Sequence, residues 1–520
     1  MKAWARALAL AVLALALQGC ASLAELQKTP GHALPAAADS PLAALAPPDL
    51  APGAGSAFRP LAFSSFAMDA RLTLIRQARR SLDIQYYLIA DDLTGRAFLR
   101  AVRDAAERGV RVRILVDDLY TAANDHLLQG MAATPNVQIR LFNPFPAGRA
   151  LNVTRWGLSL LDLARLNHRM HNKLMIADGA FAIVGGRNVA DEYFARSASF
   201  NFVDMDVLAA GAVIRQLAGL FDTYWNSSQA YAVEDIVRDP ADSASLRRDF
   251  DRLVDGGDQM RAVNPPRDDM LGNGPLAAEL DAGHVALAWG TATAFADRPG
   301  KVMATSPDMA RSMSVQMNVM DRVMQSRTEA VISSPYFIPG EAGVKAFGDL
   351  RRRNVEVSVL TNSLAANDVP LVHAGYARYR VALLRADVAL YELSPTQRDQ
   401  EDRPMLPGVS LGRLHAKTAV IDRRIVYMGS MNLDPRSETG NTELGILVDC
   451  PELASHVLRV LEMNKRLGAY RVRLATDGHG LEWTAQDGDR QTVVFHEPEA
   501  TPLLLLRSML FGPFVPEQLL

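Results

Sequence analysis

Two histidines and two lysines of this chain stand in matching settings. "RMHNKLMIADGAFAIVGGRN" runs from Arg169 to Asn188, and "RLHAKTAVIDRRIVYMGSMN" from Arg413 to Asn432. His171, Lys173, Asp178, Gly185, Gly186 and Asn188 in the first have the spacing of His415, Lys417, Asp422, Gly429, Ser430 and Asn432 in the second. Such a set suits exchange at a phosphodiester. One neutral imidazole can attack phosphorus and hold it as phosphohistidine, which splits one hard displacement into two easier ones. The other, protonated, can give its proton to the leaving alcohol oxygen and then take one from an incoming alcohol. Two lysines and two asparagines would hold the non-bridging oxygens as charge redistributes. Protein cations neutralise the phosphate, so the chemistry calls for no metal and no cofactor. No Cys/His cluster has metal-site spacing, and His168 reads as polar lining.

The elements that must position these groups are legible in the same stretches. Lys173 to Ala177 reads as a short apolar strand, Asp178-Gly179 as a hairpin turn, and Phe181 to Val184 as the returning strand. Alternation along a strand puts His171 and Lys173 on one face, with Leu174 and Ile176 on the other. The return brings Gly185, Gly186 and Asn188 beside His171, the glycines leaving room for a ligand. The second copy folds as the same hairpin, turning at Arg423-Arg424. Upstream, "AAERGVRVRILVDDL" (Ala105–Leu119) has a counterpart in "DLRRRNVEVSVLTNSL" (Asp349–Leu364). Each half thus runs strand, helix, strand, then hairpin. A repeat of this length implies two α/β halves with a pseudo-twofold relation and one site at their interface.

The paired H-x-K-x4-D-x6-G-[GS]-x-N pattern resembles the phospholipase D superfamily, over both halves from roughly Leu61 to Leu474. "GGRNVADEYF" (Gly185–Phe194), "FVDMDVLAAG" (Phe202–Gly211), "SPYFIPG" (Ser334–Gly340) and "GSMNLDPRSETGNTELGI" (Gly429–Ile446) are similar to its bacterial cardiolipin synthase branch. "WGTATAFADRPGKV" (Trp289–Val302), "HAGYARYR" (His373–Arg380) and "LDLARLNHRMHNK" (Leu161–Lys173) resemble the third type within that branch. The resemblance implies two phospholipase D-like α/β/α sandwich halves. It implies His171 as nucleophile and His415 as general acid/base, with Lys173, Lys417, Asn188 and Asn432 holding phosphate. Ser430 and its first-half equivalent Gly186 match substrate-binding positions. Asp178 and Asp422 match aspartates of the catalytic motif, although their place at hairpin turns points to a supporting role. Glu443, in "NTEL", matches an acidic residue that holds a histidine's second nitrogen, and Asp204 is its mate in the first half. The implied activity is transfer of a phosphatidyl group to the headgroup hydroxyl of another phospholipid, making cardiolipin. Its rivals are a phospholipase D with water as acceptor, a nuclease, and a non-catalytic lipid-binding scaffold. The intact His, Lys and Asn sets count against the scaffold. Some members of the family use a small accessory protein.

The whole chain bounds these readings. Its 520 residues give room for two to three domains, and a net charge of −3 argues against a nucleic-acid groove as the main surface. Lys2 and Arg6 precede an apolar run, Ala7 to Leu17, too short to span a bilayer but suited to a signal peptide over residues 1–19. The run ends in "LQGC", which resembles a bacterial lipobox. Cys20 would then be lipidated, making a lipoprotein of the cell envelope that faces the periplasm and works at a membrane surface; the other readings are ordinary secretion with cleavage nearby and a retained, uncleaved anchor. The other cysteine, Cys450, reads as a core thiol, so no disulfide is expected. Residues 20–56 form an Ala/Pro-rich tether, expected to be disordered from Thr29 on. The first half spans 57–225. A connection over 226–307 returns to the sheet at "HVALAWG" (His284–Gly290), and the second half spans 308–474. The apolar extension 475–520 is broken by Gly512, Pro513 and Pro516, so it is no transmembrane helix; it either packs on the second half, the favoured reading, or dips into the membrane interface.

Overall fold

β-branched and apolar runs bounded by Gly, Asn and charged residues fold as strands, and one succession of elements occurs twice. A computed structural model describes residues 28–46 and 55–517, apart from 122–123, 147, 150–151, 158, 160–161, 238–240, 257–264, 397–410, 476–479, 488–489 and 513–515. The leader and Cys20 lie outside the described residues. Among the described residues no helix is long and apolar enough to cross a membrane.

In the first half, β1 (Ser56–Leu61), α1 (Ser64–Gln77), β2 (Ser81–Tyr86), α2 (Leu93–Glu107), β3 (Arg111–Asp117) and β4 (Val137–Phe142) precede the hairpin. The hairpin is β5 (Leu174–Ala177) and β6 (Phe181–Gly185), followed by β7 (Phe200–Val203), β8 (Asp206–Gly211) and α3 (Val213–Trp225). The sheet order is β1-β8-β6-β5-β2-β3-β4, parallel only through β2-β3-β4, where helices make the crossovers. In the second half come β9 (Ala288–Ala296), β10 (Glu329–Ser333), α4 (Gly340–Arg352), β11 (Glu356–Asn362), α5 (Pro370–Arg385), β12 (Ala389–Leu393) and β13 (Leu411–Leu414). There follow β14 (Thr418–Ile421), β15 (Ile425–Gly429), β16 (Leu444–Asp449), α6 (Pro451–Gly468) and β17 (Ala469–Leu474). Its order, β9-β16-β15-β14-β10-β11-β12, repeats that of the first half strand for strand. β9 pairs with both halves, with β1 through Ala288–Gly290 and with β16 through Thr291–Ala296. The return to the sheet, expected at His284–Gly290, begins at Ala288 and runs to Ala296 as this strand, so the second half's sheet starts before residue 308.

Helices α1 and α2 cover the outer face of one sheet, α4 and α5 that of the other. The inner faces share a single core, in which Leu174 and Val184 from the first hairpin meet Val420 and Val426 from the second, with α3 and α6 beside them. Burial of this apolar surface between the halves fixes how they meet. Cys450 is a buried free thiol whose Sγ accepts from Leu453 N at the start of α6.

Part of the stretch expected as a tether is folded. Gly31 N donates to Asn226 Oδ1 at 2.9 Å, Ala33 N to Asp222 Oδ2 at 2.9 Å and Ser40 Oγ to Asp178 at 2.5 Å. A short helix, Pro41–Leu45, then buries Leu42. Composition suggested disorder because the segment lacks periodicity; acceptors supplied by the first half satisfy its backbone instead. At the other end, β18 (Leu481–Asp487) and β19 (Arg490–Val494) widen the sheet beyond β17, and α7 (Pro502–Phe511) lies on α5. Tyr379 OH donates to Glu517 at 2.6 Å, so the tail packs on the second half.

Candidate active site

Each of the two His/Lys hairpins turns through two residues at positive φ, Asp178 (53°) with Gly179 (64°) and Asp422 (52°) with Arg423 (55°). The second turn therefore sits one residue earlier than Arg423-Arg424. Aspartate is among the few residues besides glycine that adopt the left-handed conformation, and here the carboxylates reach a neighbouring strand. Asp178 accepts from the backbone N–H of Arg79, Arg80 and Ser81, and Asp422 from those of Arg327, Thr328 and Glu329. Both aspartates thus anchor the start of a neighbouring strand, β2 or β10. They lie a whole strand away from the histidines, which excludes them from the reacting set. Their role is to fix the hairpin.

At the other end of the hairpins the halves exchange partners. His171 N donates to Thr442 O at 2.9 Å, and Thr442 N to Arg169 O at 2.8 Å. On the opposite side β13 pairs in parallel with β7, and His415 N donates to Val203 O at 2.8 Å. Each histidine segment therefore runs beside the carboxylate-bearing segment of the other half, through a single bridge at Met170–Thr442 on one side and through β13 on the other. In consequence His171 Nδ1 lies 2.9 Å from Glu443 Oε2, and His415 Nδ1 2.6 Å from Asp204 Oδ2. Donation from Nδ1 leaves Nε2 as the lone pair, the tautomer a nucleophile or base needs. Lys173 Nζ and Lys417 Nζ each donate to the carbonyl of their own histidine at 2.6 Å. All four side chains are buried. Asn188 and Asn432 are buried too, each with an Oδ1 lacking a protein partner. Exchanging the amide oxygen and nitrogen of Asn188 would let Tyr193 OH donate to it and free the amide N–H groups for an anion.

The electrostatics follow from burial among unlike charges. Burial, with Lys173, lowers His171 to about 4 against the opposite pull of Glu443. Burial and then Lys417 bring His415 to about 3 against Asp204. Burial lowers Lys417 to about 8, and Lys173 also falls well below the ordinary lysine value. Burial would raise both carboxyls, but the histidines and lysines facing them hold Asp204 and Glu443 below the usual range. At neutral pH the site thus holds two neutral imidazoles and two ionised carboxyls, with the two lysines facing them. A phosphate monoanion adds one negative charge, which favours protonating one imidazole.

The sequence profile described as "Cardiolipin synthase, PLD-like domain" matches residues 72–225 and 319–464. The chain belongs to the cardiolipin synthase family. It is 36% identical to cardiolipin synthase C of Escherichia coli (strain K12) over 447 residues, 84% of this chain and 91% of that protein. It is 26% identical to cardiolipin synthase of Staphylococcus aureus (strain Mu50 / ATCC 700699), over 73% of this chain and 61% of that one. Among solved structures, phosphatidylserine synthase of Haemophilus influenzae Rd KW20 superposes with a TM-score of 0.51 at 14% identity, covering 80% of this chain and 87% of that one. The likeness supports the two-half α/β fold.

Within this cardiolipin synthase family member, two expected substrate contacts are occupied by protein. Ser430 Oγ donates to Glu443, and accepts from Leu444 N at 3.0 Å, so this hydroxyl orients the carboxylate. Gly186 has no room for a side chain, because a Cβ there would meet the Asp204 carboxylate. Its missing hydroxyl follows from where Asp204 lies. Sequence reading missed the aromatic walls. Tyr87 stands edge-on to His171 with ring centroids 5.2 Å apart, and Tyr193 edge-on to His415 at 5.1 Å. Tyr193 lies inside the quoted "GGRNVADEYF", whereas nothing local marks Tyr87. Asp117, also missed, closes β3 by accepting from Met170 N at 2.8 Å, and Asn362 closes β11 by accepting from Leu414 N at 2.8 Å. The aligned stretches Ala105–Leu119 and Asp349–Leu364 contain both, a signal that could have found them.

Proposed function

We propose that this protein transfers a phosphatidyl group from one phospholipid to the headgroup hydroxyl of another, making cardiolipin. The observation that carries the reading is the crossed pairing of two neutral imidazoles with carboxylates of opposite halves, over two buried lysines. Likeness to cardiolipin synthase C over most of both chains supports the substrate class. His171 Nε2 attacks phosphorus and the bond to the headgroup oxygen breaks, with His415 giving that oxygen its proton. His415 then takes the proton of the incoming hydroxyl, whose oxygen attacks phosphorus as the P–N bond breaks and His171 is restored. Lys173, Lys417, Asn188 and Asn432 hold the non-bridging oxygens in both steps.

The place of action in this reading is a membrane surface, reached by a chain with a signal peptide and a lipid on Cys20, facing the periplasm. Chain geometry supports a close approach. Residue 28 is already bound to the first half through Lys28 Nζ and Ser227 O at 3.1 Å, so an anchor at Cys20 has a reach of ~27 Å. Helix α7 supports it as well, exposing Leu503, Leu506, Met509 and Leu510 by more than half of each side chain. An apolar helix open to solvent fits the lipid that supplies both substrates. Purified enzyme on mixed phospholipid vesicles should yield the four-chain lipid in preference to phosphatidic acid. Phosphatidic acid as main product at every acceptor fraction would assign the protein to hydrolysis instead.

A further inference from the structure

"WGTATAFADRPGKV" carries a buried ion pair that the chemistry above leaves unused. Asp297 and Lys301 are both inaccessible to solvent, with Lys301 Nζ 2.6 Å from Asp297 Oδ2. Taking two charges out of water is costly, and such a pair is weak evidence for stability. Asp297 also accepts from Val315 N at 2.6 Å and from Tyr224 OH at 2.7 Å, while its other contacts and the Lys301 bond to Ser437 lead to Glu443. Asp297 N donates to Glu443 O at 2.9 Å, and Glu443 N returns to Asp297 Oδ2 at 3.1 Å. Lys301 Nζ donates to Ser437 O at 2.8 Å, while Ser437 Oγ donates to Glu443 Oε1 at 2.9 Å. Glu443 is thus held at its backbone by Asp297 and at one carboxylate oxygen by a serine that Lys301 fixes. Its other oxygen faces His171 Nδ1.

The first half solves the same problem differently. Arg187 donates to Leu61 O at 2.8 Å, to Ala62 O at 2.9 Å and to Asp204 O at 2.6 Å. Leu61 ends β1, and Asp297 directly follows β9, the strand equivalent to β1. In each half a buried cation links the end of the first strand to the segment whose carboxylate crosses the interface, Arg187 through Asp204 O and Lys301 through Ser437 O.

We propose that Asp297 and Lys301 are positioning residues that aim the Glu443 carboxylate at His171 and thereby set the tautomer and direction of that imidazole. The proposal rests on His171 acting in the reaction.

The test uses the full chain with a soluble p-nitrophenyl phosphodiester, so that membrane docking does not enter. Lys301→Met leaves Asp297 buried and unpaired and should lower both stability and turnover. Adding Asp297→Asn removes the lone charge and should restore stability, yet kcat should stay down by about 10- to 100-fold, as for outer partners of an oriented histidine. KM should stay within about twofold, since the phosphate ligands are untouched. Ser437→Ala leaves the ion pair whole and cuts its route to the carboxylate, so it should lower kcat alone by a similar factor. Wild-type kcat in the restabilised double variant, or in Ser437→Ala, overturns the proposal and leaves the pair a purely structural one. His171→Ala, assayed alongside, separates the two failures: turnover in that variant removes the catalytic reading itself.

Discussion

A histidine buried beside a lysine resists protonation, and both imidazoles of this site are in that position. Because the unfolded chain binds protons near the ordinary value of about 6.5, it takes up protons that native His171 and His415 refuse. Stability should therefore be full above about pH 6.5 and fall as the pH drops toward the native values of about 4 and about 3. The slope should be at most about 1.4 kcal/mol per pH unit for each histidine. Urea unfolding from pH 7.5 down to 4 measures it, and His171→Gln should flatten the curve; a flat wild-type curve would remove the burial argument. In turnover, His171→Ala and His415→Ala should each abolish activity, with the double variant no worse, as for residues acting as one unit. Lys173→Arg and Lys417→Arg keep the charge but change its shape and reach, so each should lose most activity while the fold persists. Full activity in either arginine variant would mean that these ammoniums act only as distant charges.

At the scale of the element, each hairpin has a structural end and a chemical end. Asp178 is buried and accepts three backbone N–H groups, so Asp178→Ala should cost about 3 kcal/mol, the range for hydrogen bonds to a charged group. Activity per folded molecule should persist. A variant as stable as wild type but inactive would return the motif aspartates to the reacting set. Asp422 is partly exposed, and its loss should cost less. At the chemical end the repeat cannot be made symmetric by substitution. Gly186→Ser copies Ser430 on paper, but the new Cβ would meet Asp204 and push it off His415. Turnover should fall, and a gain in rate would show that Asp204 can move aside.

For the whole molecule, β9 joins the two sheets by pairing with β1 and β16, and the proposed function has the site between them work at a lipid surface. Replacing Leu503, Leu506, Met509 and Leu510 together with serine should reduce turnover on vesicles and spare hydrolysis of a soluble diester. Cys20→Ser in an exported chain should act the same way. Equal loss on both substrates would indicate damage to the fold rather than to docking.

His/Lys spacing, the repeat and the alternation of apolar residues were enough to place the hairpins and the two-half α/β class. These are local properties, because strand periodicity and turn chemistry act within a few residues. Tertiary structure alone decided which carboxylate serves which histidine. Glu443 and Asp204 each cross to the other half because His171 pairs with the Thr442 segment and His415 with Val203, contacts between residues more than two hundred positions apart. It also decided that Ser430 serves Glu443, that Gly186 yields its space to Asp204, and that Lys28–Ala46 lies on the body. A sequence records which groups are present; which of them meet is settled by burying the apolar surface of both sheets in one core.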